Sequence, residues 1–494
     1  MIDVGEMMMF NDFKLIGDRP VYIQVKDYLQ KMIAQGGLLA DQKLPSTREL
    51  SELLHVSRNT VIAAYTSLED EGFIYTIRGK GSFAAAVIPA RRCHEPSHDL
   101  KLDWKQRLSG TAQLADELDL MKRGIRAAKG TISFTSIAPD EKLFDLDQVK
   151  RAFLDRMSIE GDVLLNYGYA KGYKPLMEYL LQYMENKGVN VSGKDLLITN
   201  GFTEGFELVL SALQKRHGTV LCENPTHNTA IKNLKLHGYD ITGIEMESDG
   251  ICLDKVEQAL QEQSFDFAFL IPSYHNPTGI VMSPEKRVKL IELMTAYQIP
   301  IVEDGFNEEL RYSGAHVAPL IASAGASNNV VYIGSFSKVL FPGIRVGWIL
   351  ADHELIYYLE SIKRARSIHT STLDQSLLYQ YLLNGNLDKY LKRARAEYKR
   401  KYEWTKQCIE EHIPCKRVSG DGGLHVFVEF EQGFKTRELL KMCSERGVIF
   451  TPGDNFYTDG TGQHTMRLGF SRVAIEDISQ GIRIIGQAAA QLMG

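Results

Sequence analysis

From about Thr131 onward the chain repeats one pattern: a short apolar run, then a stretch long enough for an amphipathic helix. The runs are DLLIT (195–199), GTVLCE (218–223), FAFLIP (267–272), IPIVED (299–304), NVVYIGS (329–335) and VGWILA (346–351). Runs this short, apolar at successive positions and bounded by polar or turn residues, fit strands buried on both faces of a sheet. Strands alternating with helices build an α/β domain around a mostly parallel sheet. After the charged helical stretch 387–412 the pattern changes to GGLHVFVEF, RGVIFTPG and TMRLGFS, separated by helices. A small α+β subdomain is expected there, from about 385 to 494.

The net charge of −5 excludes a uniformly basic nucleic-acid binder, so any DNA contact must come from a local patch. The six cysteines are scattered, with no CxxC pair and no zinc spacing. Reduced thiols, a cytoplasmic location and no metal site are expected. No apolar run reaches the roughly 18 residues of a membrane helix. The opening MIDVGEMMMFNDF lacks the basic n-region of a signal peptide.

The first 85 residues form a separate helical pattern. In LPSTRELSELLHVSRNTVIAAYTSLEDEG, Ser46 and Glu49 have the spacing of a capping box, and Leu50, Leu53 and Leu54 give the helix one apolar face. After the turn HVS, Ser57 can cap a second helix whose Val61, Tyr65 and Leu68 face the core. Arg58, Asn59 and Thr60 are then left in its first turn. That is where a recognition helix meets base edges. Gly72 closes the helix, and FIYTI-RGKG-SFA reads as two strands with Lys80 at the tip. The stretch AAAVIPARRCHEPSHDLKLDW (84–104) has no clear period and reads as a linker. The expected domains are therefore 11–85, a linker at 86–115, and 116–494. Residues 11–85 carry nine basic and nine acidic side chains, so this neutral unit needs a dimer or two half-sites for specific binding.

In GSFSKVLFPGIRVGW (334–348), Lys338 lies among apolar residues with Ser335 and Ser337 beside it and Arg345 seven positions on. A lysine nucleophile must lose its proton, which burial and nearby cations favour. Arg345 and the two serines suit a phosphate. An imine-forming lysine beside a phosphate site suggests pyridoxal 5′-phosphate (PLP). Such a cofactor needs an acid at its pyridine nitrogen, and Asp304 stands at the end of an apolar run. Asn276, in NPTG, can bond the ring hydroxyl, although this tetrapeptide alone is an ordinary turn. Gly201, Phe202 and Thr203 open a helix whose N–H groups can cradle a phosphate. His227 can lie on the ring or be a surface histidine. Arg467, in TMRLGFS, can hold a carboxylate bidentately.

The string L-P-S-x-R, V-S-R-x-T-V, A-Y, L, E-G, G-x-G-x-F resembles the GntR-type winged helix-turn-helix over about residues 20–83. The resemblance implies DNA contacts from Arg48, Arg58, Thr60 and Lys80, with Ser46, Ser57 and Asn59 as neighbours. Residues 130–490 resemble the fold-type I PLP-dependent aminotransferases. That implies a Schiff base on Lys338, Asp304 at the pyridine nitrogen and Asn276 at the ring hydroxyl. It also implies phosphate held by Ser335 and Arg345, an effector carboxylate on Arg467, and Tyr167 reaching the partner subunit's cofactor. His227 and Phe306 stand where relatives place tyrosines. The loss of the hydroxyl at Phe306 points away from efficient turnover.

The pairing resembles the MocR subfamily of bacterial regulators: a winged helix-turn-helix fused to an aminotransferase-like domain. It implies a transcriptional regulator, often a head-to-tail homodimer, that binds double-stranded promoter DNA and senses an amino acid or related amine by transimination at Lys338. A residual aminotransferase half-reaction is compatible with this. The alternative is an aminotransferase moving an amino group from an amino acid to a keto acid, with an accessory DNA-binding domain.

Overall fold

The computed structural model describes residues 10, 12–86, 102–125, 128–213, 215 and 217–493. They divide between Arg107 and Leu108 into two units. Much of the expected linker, including Cys93, lies outside the described residues. Towards its far end, Ser109 caps a helix at Gly110–Glu117 by accepting from the Ala112 amide. That helix falls within the stretch 86–115 expected as linker, where a serine cap starts a helix that composition did not show.

The first unit contains helices α1 (Val21–Ala34), α2 (Thr47–Leu53) and α3 (Arg58–Asp70), then the hairpin β1 (Ile74–Ile77) and β2 (Gly81–Ala84). Ser46 and Glu49 form the capping box at α2, and Ser57 caps α3 through the Thr60 amide. Val25, Leu29 and Ile33 of α1 pack with Leu50, Leu54, Val61, Ala64, Tyr65 and Leu68 into one small core. The hairpin pairs Ile74 with Ala84 and Ile77 with Gly81, leaving Arg78 and Lys80 exposed in its turn. This is the expected winged helix-turn-helix arrangement.

The second unit is built on an eight-stranded sheet. After the short β3 (Ile132–Ser133) come β4 (Lys194–Thr199), β5 (Thr219–Asn224), β6 (Asp240–Glu247), β7 (Gly250–Ile251), β8 (Phe267–Leu270), β9 (Ile301–Gly305), β10 (Val330–Ser335) and β11 (Gly347–Asp352). The sheet order is β4-β11-β10-β9-β8-β5-β6-β7. Pairs from β10 to β6 are parallel, whereas β11 runs antiparallel to both β10 and β4. The six apolar runs fall on β4, β5, β8, β9, β10 and β11. The more polar strand β6, DITGIEME, next to the two-residue edge strand β7, has no such run. Beyond Asn386–His412, strands β12 (Arg417–Ser419), β13 (His425–Glu429), β14 (Val448–Ile449), β15 (Thr451–Pro452) and β16 (Thr465–Gly469) complete the small subdomain. Its four-stranded sheet has the order β12-β13-β16-β15, while β14 pairs with β3. The small subdomain therefore recruits a piece of chain from before the large sheet. The fold is the multidomain one expected: an α+β winged helix-turn-helix unit, then an α/β unit with a small α+β layer.

Candidate functional site

The site residues gather where parallel strands end, the position at which open α/β sheets bind ligands. Gly201 follows β4, His227 follows β5 and Asn276 follows β8, while Asp304 is the penultimate residue of β9 and Lys338 follows β10. Arg467 reaches the same place from β16 of the small subdomain. Its Nη1 donates to Asn276 Oδ1 at 2.8 Å, its Nη2 donates to the Thr135 carbonyl at 3.2 Å, and its guanidinium carbon lies 4.8 Å from the Phe456 ring centroid.

Burial and charge tune these groups. Burial, then the Arg467 cation, hold the Lys338 amine down at about 8, against the opposing pull of Asp304. Burial pushes the Asp304 carboxyl well up, with Lys338 the main opposing influence. His227 Nδ1 lies 3.8 Å from Asp304 Oδ2, and burial with the nearby Lys338 keeps the imidazole neutral, down at about 3. Burial also lowers Arg467 to about 9.

A second cluster lies at the start of the helix Gly201–Leu213. Arg345 has left-handed backbone, φ 51° and ψ 44°. A non-glycine residue held there is a common mark of a functional loop. Its Nη2 donates to the Asn200 carbonyl at 3.0 Å and its Nη1 lies 3.4 Å from Ser337 Oγ. Ser335 Oγ accepts from the Ser337 amide at 3.1 Å. Gly201 has φ +78°, and a Cβ placed there would sit 2.7 Å from Arg345 Nη2. The positive φ favours glycine, and a side chain here would push the Arg345 guanidinium aside. Two serine hydroxyls, a guanidinium and a helix N-terminus make an anion cradle.

Asn276 Nδ2, His227 Nδ1 and Arg467 Nε are among the buried polar atoms of this region with no hydrogen-bond partner among the described residues. Buried donors and acceptors are costly to leave unpaired, so the pocket is shaped for a polar guest. An aldehyde-bearing, phosphorylated pyridine fits the donor set: an amine of lowered basicity, an acid, an amide N–H and an anion cradle.

The other expected residues are placed as follows. Phe202 packs 5.6 Å from the His227 ring, and Thr203 is exposed on the first helical turn. Phe306 is buried with its ring 6.3 Å from that of His425. Tyr167 is 81% exposed and touches only the edge of the His369 ring among the described aromatic contacts. In the reader, Arg48, Arg58, Asn59 and Lys80 are exposed. Ser46 and Ser57 have committed their side chains to helix caps, and Thr60 Oγ1 lies 2.8 Å from Ser57 Oγ.

The sequence reading missed three contributors. Lys363 is fully buried without a carboxylate partner in hydrogen-bond contact; its Nζ donates to the carbonyls of Ala170 at 2.7 Å and Ile198 at 2.5 Å. It thereby clamps the segment that carries Tyr167 to the end of β4, two residues before the cradle. Glu223 and His275, also fully buried, lie 3.6 Å apart behind Asn276. Burial raises Glu223 to about 8, and His275 Nδ1 meets Thr278 Oγ1 at 2.8 Å within the NPTG turn.

Comparison with known proteins places both units. Residues 135–485 match the family of class I and II aminotransferases, and residues 21–83 match the gntR family of bacterial regulatory proteins. The uncharacterized HTH-type transcriptional regulator YisV of Bacillus subtilis is 27% identical over 96% of this chain and 97% of its own. Aromatic-amino-acid aminotransferase 1 of Thermococcus litoralis is 30% identical over 73% of this chain and 88% of its own. The α-aminoadipate aminotransferase LysN of Thermus thermophilus, solved with N-(5′-phosphopyridoxyl)-L-leucine, superposes with a TM-score of 0.73 at 28% identity, covering 79% of this chain and 99% of that one. The chain belongs to the class I and II aminotransferase family through its second unit and to the gntR regulatory family through its first, the combination expected of MocR-type regulators.

Proposed function

We propose that this protein is a PLP-dependent transcriptional regulator that reads promoter DNA with residues 21–83 and senses an amino acid or related amine at Lys338. The observation that carries this reading is the alignment with YisV along nearly the full length of both chains, reader and amine pocket together. PLP, when bound, supplies an aldehyde carbon that condenses reversibly with primary amines. Lys338 would hold it in the resting state, and its lowered basicity keeps part of the amine unprotonated near neutral pH. Ser335, Ser337, Arg345 and the amides opening at Gly201 would bind the phosphate. Asp304 would pair the pyridine nitrogen, Asn276 Nδ2 would meet the ring hydroxyl, and the neutral imidazole of His227 would lie against the ring. Arg467, oriented by Asn276 and Thr135, would receive the effector's carboxylate.

A second copy of the chain would cover the exposed apolar side chains of Leu165, Tyr167 and Tyr169. This supports a homodimer in which Tyr167 reaches its neighbour's pocket. Coupling then requires only that the effector bind two domain arrangements with different affinity.

The presence of Lys338, Asp304, Asn276 and Arg467 in one pocket also suits an aminotransferase. Two assays on the full chain decide between the readings. Titration onto a duplex carrying the region upstream of its own gene, with and without a panel of amino acids, should show an affinity change of about tenfold, or about 1.4 kcal/mol. Steady-state transamination should be absent. Turnover at roughly 1–10³ s⁻¹ with DNA affinity unmoved by any amino acid would establish the enzyme instead.

A further inference from the structure

We infer that Ile62 is a specificity determinant of the reader: its side chain contacts the 5-methyl group of a thymine, about two base pairs from the base read by Arg58. The inference rests on the DNA-reading role proposed above. Helix α3 turns Val61, Ala64, Tyr65 and Leu68 into the core. Opposite them, Asn59, Ile62, Ala63 and Thr66 are exposed. Ile62 lies four residues after Arg58 and three after Asn59, so all three share neighbouring positions on the outer surface.

Within this face the polar complement is smaller than the sequence suggests. Ser57 Oγ accepts from the Thr60 amide at 3.1 Å, and the two hydroxyl oxygens lie 2.8 Å apart. Both hydroxyls therefore serve the cap. Arg58 Nε lies 3.4 Å from Thr47 Oγ1, which steadies its stem against α2. Arg58 and Asn59 remain for hydrogen bonds to base edges, and Ile62 is the one large apolar side chain between them and Thr66.

Ile62 is 41% exposed, although it belongs to a helix whose apolar face is already complete. In the major groove only thymine offers a methyl group, and apolar side chains are its matching contact. Four residues of helix advance about 6 Å, close to two base-pair steps. A β-branched, rotamer-restricted side chain suits such a contact because little freedom is left to lose.

The test starts from a random-sequence duplex pool enriched on the full-length protein. Uracil then replaces thymine one position at a time in the enriched site, which deletes only the methyl group. Wild-type protein should lose about three- to tenfold in affinity at one thymine per half-site. Ile62→Ala should bind that thymine and uracil alike, whereas Ile62→Val should keep most of the discrimination. A flat uracil scan, or unchanged methyl dependence in Ile62→Ala, overturns the role of Ile62 while leaving the reader intact. Failure to enrich any sequence overturns the DNA-reading proposal itself.

Discussion

The lowered basicity of Lys338 makes a quantitative prediction. With the amine at about 8, close to one molecule in eleven carries a neutral lysine at pH 7. An ordinary lysine, near 10.4, gives about one in 2,500, so the pocket raises the reactive fraction roughly 230-fold. The direction is that of a base whose charged form is disfavoured: the nucleophile appears as pH rises through 8 and is lost below it. The assay is the initial rate of PLP capture by cofactor-free protein between pH 6 and 10.5, trapped with borohydride and localised to Lys338 by peptide mass spectrometry. The rate should reach half its maximum near pH 8. Arg467→Met removes the cation that, after burial, does most to lower the amine, so the midpoint should move up. Asp304→Asn removes the anion that opposes the shift, so the midpoint should move down. A wild-type midpoint near 10.4, or both substitutions moving it the same way, refutes the electrostatic account.

Gly201→Ala forces a Cβ into positive-φ backbone, at a cost of about 1–2 kcal/mol, and displaces the Arg345 guanidinium. PLP affinity, read by absorbance titration, should fall about tenfold or more, because a charge-assisted contact to the phosphate is lost. Lys363→Met leaves the Ala170 and Ile198 carbonyls without their buried donor. It should lower the stability of the second unit by about 1–3 kcal/mol, seen as a lower urea midpoint with unchanged slope.

Much of this architecture is legible in the sequence because local rules and tertiary structure agree. Ser46, Glu49 and Ser57 cap helices where their spacing places them, and the six apolar runs become strands because both faces of a central sheet demand apolar side chains. Strand β6 escaped because it lies near the margin of the sheet, where Ile244 alone of DITGIEME is buried and no continuous apolar run is needed. The antiparallel course of β11 cannot be read from its residues, which are equally apolar in either direction. Lys363 looks like one of several surface charges in ESIKRARS, and only the packing of its helix against β4 reveals that it is buried. Asp304, Asn276 and Arg467 were each ambiguous alone. Their meeting depends on the small subdomain folding back on the large sheet, an arrangement seen in the contacts of Arg467 with Asn276 and Thr135, 191 and 332 residues away in the chain.

The antiparallel return from β10 to β11 gives the pocket a mechanical property. Ser335 pairs directly with Gly347 across the sheet, so the loop bearing Lys338 and Arg345 is pinned at both ends by one pair of strands. The proposed covalent handle, Lys338, and the proposed ionic handle, Arg345, thus sit on a single hairpin loop. On the proposed reading, an amine arriving at the pocket would release the first without loosening the second. Each exchange of signal would leave the cofactor docked, and the receptor could be reset by dilution of the amine, with no need to reload.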